Sequence, residues 1–411
     1  MKKIALIIFR YGKGIYGGTE VHCRMLAERL RPYYEVEVLT TTIRKPCAAE
    51  LDFPAGESIE DGIRVRRFKT EPVHPECRRE LRSRSNAGKR LRHGLDTVRL
   101  LTPLADLHPV WTLRSEAERR YFESYEEYAP SMQQFICDHR GEYAAFLPVS
   151  YYFTTTIFTA LCVPEKCILI PTAHPEKPLY YCLYTQVFTR VRHIAFNTAA
   201  EQRLCRRIFG RSLAPSSLVG ISIEEPETAD WAEVKARYDL PERYVLYVGR
   251  MHPMKISAVI PDFLRYKQEH GSDVKLVMVG PIDPNVVQPG DPEIIFTDAV
   301  NDAEKAAIVR HATVMVNPSQ MESLSLLLLE ALANDVPMLV NGKCEVMKDH
   351  CRLSGAALWY DNSRDFVNKL HRLLSDEALR AEMRGKGPTY IRQYYDWETI
   401  IGKLRRLIEA I

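Results

Sequence analysis

Two cations stand five positions apart in Gly249-Arg250-Met251-His252-Pro253-Met254-Lys255. A planar guanidinium fork and an ammonium point charge converging on one anion suit a diphosphate. Each would contribute up to about 4 kcal/mol of Coulomb energy at ~4 Å with an effective dielectric near ~20, before desolvation. A second run, Pro318-Ser319-Gln320-Met321-Glu322-Ser323-Leu324-Ser325, leads into the apolar stretch Leu326 to Ala331. A loop that opens a helix presents unpaired amides to an anion, here those of Ser323, Leu324 and Ser325. Glu322 cannot share that seat, but it can accept hydrogen bonds from hydroxyls. Glu330 lies two turns further on among leucines, where a carboxylate needs partners; a ribose diol would supply two donors. The loop Gly12 to Gly18, ending in Thr19-Glu20, lets a ligand approach the backbone, with Gly17 and Gly18 as the contact points. It matches neither the dinucleotide GxGxxG spacing nor the GK[ST] ending of a P-loop. His174 stands between Pro171 and Pro175 in Pro171-Thr172-Ala173-His174-Pro175-Glu176.

Each constellation has an ordinary alternative. The two cations can be solvated, Glu330 can reach solvent or pair with a core arginine, the glycines can make a simple turn, and His174 can be structural.

The elements that must position these residues are strands followed by loops and helices. Ile4 to Phe9 is a continuous apolar run, as in strands covered on both faces. The glycine loop follows, then a helical pattern over Thr19–Leu30 and a second strand over Val36–Thr40, the opening of a doubly wound α/β domain. Strands are also expected at Ala145–Leu147, Cys167–Ile170 and Ile194–Thr198, with helices over Glu116–His139 and Ala199–Ile208. A boundary with Pro226 and the acids Glu224, Glu225 and Glu227 lies between Ser216 and Pro241. A second α/β series then begins, with strands at Tyr244–Val248, Val274–Val279, Thr313–Val316 and Pro337–Val340. The last helix carries Trp397, Ile400, Ile401, Leu404, Leu407, Ile408 and Ile411 on one stripe. Ligands of open α/β sheets bind outside the carboxyl ends of strands, and Gly249–Lys255 and His174 both stand there.

The chain has 411 residues, 46% hydrophobic and 27% charged, which excludes disorder throughout. Its 56 Lys and Arg against 53 Asp and Glu leave +3, too balanced to suggest a nucleic-acid partner. The 10 cysteines show no CxxC spacing, so we expect reduced thiols and a cytoplasmic protein; Cys344, His350 and Cys351 fit no usual zinc pattern. The start mimics a signal peptide, but its apolar run is short and no cleavage site follows. No run approaches the roughly 20 apolar residues of a membrane-spanning helix. Arg78, Arg79, Arg82, Arg84, Lys89, Arg90, Arg92 and Arg99 crowd one stretch. At about 1 kcal/mol per basic residue near an anionic surface, residues 78–99 are a candidate for peripheral contact with the inner face of the cell membrane. A solvated face or an acceptor-binding arm are the alternatives.

In this order the motifs resemble the retaining nucleotide-sugar glycosyltransferases of family 4, the glycosyl transferases group 1 family. Gly17-Gly18-Thr19-Glu20 matches the family's loop after strand one. Gly249, Arg250 and Lys255 match Gly-Arg-x4-Lys. Pro318, Ser319, Glu322, Glu330 and Ala331 match Pro-Ser…Glu-x7-Glu-Ala, and His174 matches the strand-end histidine. The resemblance implies a GT-B fold: two Rossmann-like doubly wound domains facing across a cleft. An acceptor-binding domain would span 1–222 and a nucleotide-sugar domain 223–387, with a final helix over 388–411 packing back on the first. The implied activity is transfer of a hexosyl or deoxyhexosyl group, with retention, from a nucleotide-diphosphate sugar to a glycan or lipid-linked glycan, as in polysaccharide biosynthesis. The nucleotide-sugar is a co-substrate, so no cofactor is expected. No Asp-x-Asp occurs, so no metal is expected either. Arg250 and Lys255 would hold the diphosphate, Glu322 the sugar hydroxyls and Glu330 the ribose; His174 would touch the sugar and orient the acceptor. Ile256 and Ser325 depart from the glycines common in the family. Another GT-B sugar-nucleotide enzyme (an epimerase or phosphorylase) or a non-catalytic sugar-nucleotide-binding subunit are the rival readings.

Overall fold

In a computed structural model, the structure describes residues 1–15, 17–46, 48, 51–71, 75–223, 227–256, 258–286 and 290–411, with backbone alone at 75–77, 254 and 255. The chain forms two compact units, Met1–Ile221 with Trp397–Ile411, and Ser222–Asp396.

The first unit is built on strands β1 (Lys3–Ile7), β2 (Glu35–Thr41), β3 (Gly56–Glu60), β4 (Ile63–Phe68), β5 (Ala145–Pro148), β6 (Ile168–Leu169), β7 (His193–Phe196) and β8 (Ser216–Leu218). Their order is β3-β4-β2-β1-β5, and the bridges Phe146↔Cys167 and Val149↔Ile170 join β5 to the set β6-β7-β8. All pairs are parallel except β3 with β4. That exception turns through Asp61-Gly62, both at positive φ, the chemistry of a tight hairpin. β1 is central: Ile4 faces Val36 on one side and Ala145 on the other. Ile4 to Ile8 are wholly buried, which is why this segment reads as unbroken apolar sequence. The chain winds outward from β1 through β2 and β4, then returns to β5 and winds the other way. The sheet therefore reverses between β1 and β5, the switch point at which such folds bind ligands.

The second unit has strands β9 (Tyr244–Val248), β10 (Lys275–Val279), β11 (Ile294–Asp298), β12 (Val314–Asn317), β13 (Met338–Asn341) and β14 (Ala357–Tyr360). Their order is β11-β10-β9-β12-β13-β14, all parallel. Here the reversal falls between β9 and β12.

Several expectations differ from the structure. The stretch expected as one helix over Glu116–His139 is two, Ser115–Glu123 and Pro130–His139. Ala129 leaves the helical region before Pro130, at φ −128 and ψ 86, because the proline ring disfavours helical backbone at the preceding residue. The helix that belongs to the first unit is Trp397–Glu409, with Ile400, Ile401, Leu404 and Ile408 buried. Glu377–Tyr394 stays with the second unit, so 388–396 does not join the returning segment. Lys2 Nζ and Tyr34 Oη anchor that last helix at Glu409, at 2.7 and 2.9 Å. The expectation of reduced thiols also gives way: Cys137 and Cys162 form a disulfide between the helices Pro130–His139 and Thr154–Cys162. Cys23, Cys167, Cys182, Cys205, Cys344 and Cys351 are free and buried. Among the described residues no helix is long and apolar enough to cross a membrane.

Candidate active site

In the second unit, the loops after β9 and β10 are laced together. Gly249 N–H donates to Val279 O at 2.9 Å, Met251 N–H to Pro281 O at 2.9 Å and Asp283 N–H to Met251 O at 2.9 Å. Gly280 takes φ +133, and a Cβ there would collide with the Gly249 backbone. Arg250 leaves this knot with its side chain 69% exposed, touching Asp283 Oδ2 through Nη2 at 3.3 Å. Asn285 donates its N–H and side-chain amide to Asp283 Oδ1. These bonds hold the Asp283 carboxyl below the usual range, with the positive fields of His252 and Arg250 assisting. One long contact to one exposed cation is weak, so a dianion can displace it. Lys255 lies in the single turn Pro253–Ile256; its side chain is outside the described residues.

The loop Pro318–Ser325 leaves the neighbouring strand β12. Asn317 anchors both its ends: its side-chain oxygen accepts from Ser319 N–H at 2.9 Å and its amide donates to Ser325 Oγ at 3.2 Å. Asn341, at the end of β13, donates to Pro318 O at 3.1 Å. Ser325 sits at φ +71 and begins the helix Leu326–Ala333, and among the described residues no side chain caps that helix start. Beneath the loop, His350 is fully buried. Nε2 lies 2.9 Å from Leu324 O and Nδ1 lies 2.8 Å from Tyr390 Oη. Nε2 therefore carries the proton and Nδ1 accepts from the phenol. Burial lowers its pKa to about 4, so the ring is neutral. His350 is thus committed to the loop, and no cluster able to hold a metal occurs among the described residues.

Glu322 and Ser323 are partly exposed at the rim of this loop, while Leu324 and Ser325 are buried. Glu322 reaches electrostatically to Tyr247, whose pKa rises to about 12, first through burial and then through that charge. Tyr247 Oη donates to Arg250 O at 3.2 Å, which fixes the phenol against the β9 loop. Glu330 is not sunk among leucines: it is partly exposed, and Lys305 Nζ stands 3.1 Å from each of its oxygens. Such a pair is weak at the surface and leaves room for hydroxyl donors.

In the first unit, Gly17 caps the helix Gly18–Leu30, and any Cβ on it would strike the Glu20 carboxylate. Glu20 takes Arg10 Nε at 2.5 Å. Among the described residues beyond its chain neighbours and its own helix, nothing lies within 4 Å of the Cβ position at Gly18. His174 follows β6; its Nδ1 is 3.4 Å from Glu176 Oε1, and the same oxygen accepts from Tyr151 Oη at 2.7 Å. Glu201, fully buried with its pKa raised by burial to about 8, accepts from Ala173 N–H at 2.5 Å and Asn197 N–H at 2.7 Å. It therefore ties the His174 loop to the end of β7.

The structure thus brings Gly249, Arg250, Glu322, Ser323, Leu324, Ser325 and Glu330 onto loops and a helix at the β9/β12 reversal. Gly17 and Gly18 stand at the β1 end of the other sheet, and His174 beyond β6. The sequence reading gave no role to Arg10, Glu201, Tyr247 and Asp283, quoted Glu20 only as part of the glycine-loop motif, and weighed His350 only as a zinc ligand. Arg10 was legible as the first charge after β1; the others are single polar residues inside ordinary patterns.

Residues 242–376 match the family model of glycosyl transferases group 1. That segment is most of the second unit and holds Arg250, Lys255, Glu322 and Glu330. A D-inositol 3-phosphate glycosyltransferase of Streptomyces bingchenggensis is 28% identical over 205 residues, 44% of either chain. The aligned part spans less than half the length of the curated relatives it matches. Among solved structures, sucrose-phosphate synthase of Thermosynechococcus elongatus superposes over 100% of both chains with TM-score 0.69 at 16% identity. Anabaena HepE, in complex with UDP and glucose, does so over 100% of both chains with TM-score 0.66 at 12% identity. The two doubly wound units are those of the GT-B fold seen in these enzymes.

Proposed function

We propose that this protein is a glycosyltransferase that takes its sugar from a nucleotide-diphosphate sugar, with retention and without a metal, and passes it to a glycan or lipid-linked acceptor. The observation that carries the reading is the juxtaposition at the β9/β12 reversal. An exposed arginine on one loop and an uncapped helix start on the next both favour a diphosphate, within the segment that matches the family. The UDP complexes of the structural neighbours support a nucleotide donor.

In this reading Arg250 and Lys255 grip the diphosphate and neutralise the charge that grows as the glycosidic bond breaks, the largest contribution protein groups commonly make. The amides of Ser323, Leu324 and Ser325 add fixed dipoles. Glu322 accepts from sugar hydroxyls, and Glu330 accepts from the ribose once Lys305 is displaced. His174, held by the Glu201-tied loop, touches the sugar and orients the acceptor, and Gly17 and Gly18 admit a ligand to the backbone. No side-chain nucleophile is assigned. A screen of nucleotide sugars for release of nucleoside diphosphate tests the proposal. We expect turnover with at least one donor, and Glu322→Ala should cut it while nucleotide affinity holds. Binding without turnover for every donor would favour the non-catalytic subunit.

A further inference from the structure

The arginine-rich stretch is a helix, Pro75–Thr97, and its cations do not form one face. Arg92 is fully buried and donates to the carbonyls of Tyr180, Tyr181 and Ile208 at 3.0 to 3.1 Å. Arg84 pairs with Glu80 on the exposed side. Arg78, Arg82, Ser85, Lys89 and Arg92 follow one another at helical three- and four-residue steps, a single stripe. That stripe lies on tyrosines. The Arg78 guanidinium stands 4.3 Å from the Tyr125 ring centroid, and Lys89 Nζ stands 4.4 Å from that of Tyr181 and 3.0 Å from its Oη. Tyr121 and Tyr125 are joined through their hydroxyls at 3.2 Å.

Positive charge is in excess here. Among the described residues, Arg78, Arg82, Lys89 and Lys177 form no ion pair with a carboxylate. Lys89 is held below the usual lysine range, first by partial burial and then by Arg82, Arg90 and Lys177. Two buried acids act on this stripe, Glu118 on Lys89 and Glu127 on Arg78; burial pushes both carboxyls up to about 7, and Leu183 N–H occupies Glu118 Oε2 at 2.7 Å, so they balance the four cations only in part. Crowded cations cost free energy unless an anion joins them, and phenols that stay protonated add donors. Lys177 is three residues from His174, at most about 10 Å of chain.

We propose that Arg78, Arg82, Lys89 and Lys177, on their tyrosine floor, seat a phosphoryl group carried by the acceptor. A seat built half-buried over aromatic rings, with one arginine turned into the core, suits a discrete anion better than a flat lipid surface. This rests on the glycosyltransferase reading and adds the acceptor's chemical class to it. Calorimetry on the full chain tests it with glucose, glucose 6-phosphate, a polyprenyl phosphate in detergent, and UDP.

We expect a phosphorylated probe to bind and glucose not to. Lys89→Gln and the exposed Lys177→Gln should each weaken that probe by about tenfold or more, with UDP affinity unchanged. Binding of glucose 6-phosphate supports a soluble acceptor, and binding of the polyprenyl phosphate alone supports a lipid-linked one. If UDP binds and neither phosphorylated probe does, the seat is overturned while the donor reading stands. If UDP fails to bind, the donor reading falls, and the probes with Lys177→Gln still decide the seat. Binding of anionic vesicles weakened equally by loss of any cation from 78–99 would also overturn it in favour of a membrane surface.

Discussion

Arg250 is exposed and loosely held by Asp283, so its ion pair is a parking position more than a structural bond. Asp283→Ala should change stability little and leave diphosphate affinity equal or modestly higher, as measured by calorimetry. His350 makes the opposite case. It is buried, neutral and bound at both nitrogens. Its folded pKa of about 4 lies below the ~6.5 of an unfolded histidine. Unfolding therefore takes up a proton as pH falls, and stability present above ~6.5 is lost progressively towards ~4. Urea unfolding should show the gap between wild type and His350→Gln shrinking from about pH 7 to about pH 4.5; a constant gap would contradict the assignment. Residues of this kind were silent in the sequence. A lone His at position 350 carries no periodicity, whereas Arg250 and Glu322 stand beside glycine, proline and serine at loop positions that announce themselves.

At the scale of elements, Ser325 combines a positive φ with a hydrogen bond from Asn317. Removing its Cβ relieves about 1 kcal/mol of backbone cost and forfeits a bond of similar size. Ser325→Gly should thus be nearly neutral in thermal unfolding, while Ser325→Val, β-branched at positive φ, should destabilise by about 1–3 kcal/mol. The disulfide closes a separation of 25 residues, and in the chain-entropy account Cys137→Ser should cost about 3 kcal/mol in denaturant unfolding. Strands covered on both faces were legible because nothing polar interrupts them. The region 45–142 was not, and the reason is specific. β4 alternates as a half-buried strand should, but its third inward position is Arg67, buried and bonded to Tyr11 O and Glu60. The helix Pro75–Thr97 buries Arg92 and Ser85 where leucines would be expected. Polar groups satisfied by distant partners erase the patterns that betray an element.

At the scale of the whole molecule, the chain returns to its first unit through Trp397–Glu409. Leu404 is wholly buried there, and Leu404→Ala should cost about 2–5 kcal/mol, read from urea unfolding of the first unit. The two-unit organisation was visible as a repeated strand-and-helix series. The point of return was not, because a long helix with Pro388 inside it looks like a boundary and is none. Both reversals of strand order leave motif residues at carboxyl ends, and the account stands or falls on the second. Its most direct test is titration of UDP, GDP and TDP into wild type, Arg250→Ala and Lys255→Ala. At least one nucleotide should bind wild type, and each variant should weaken it by about tenfold to a hundredfold. Equal affinity in all three proteins would contradict a diphosphate seat at the β9/β12 reversal.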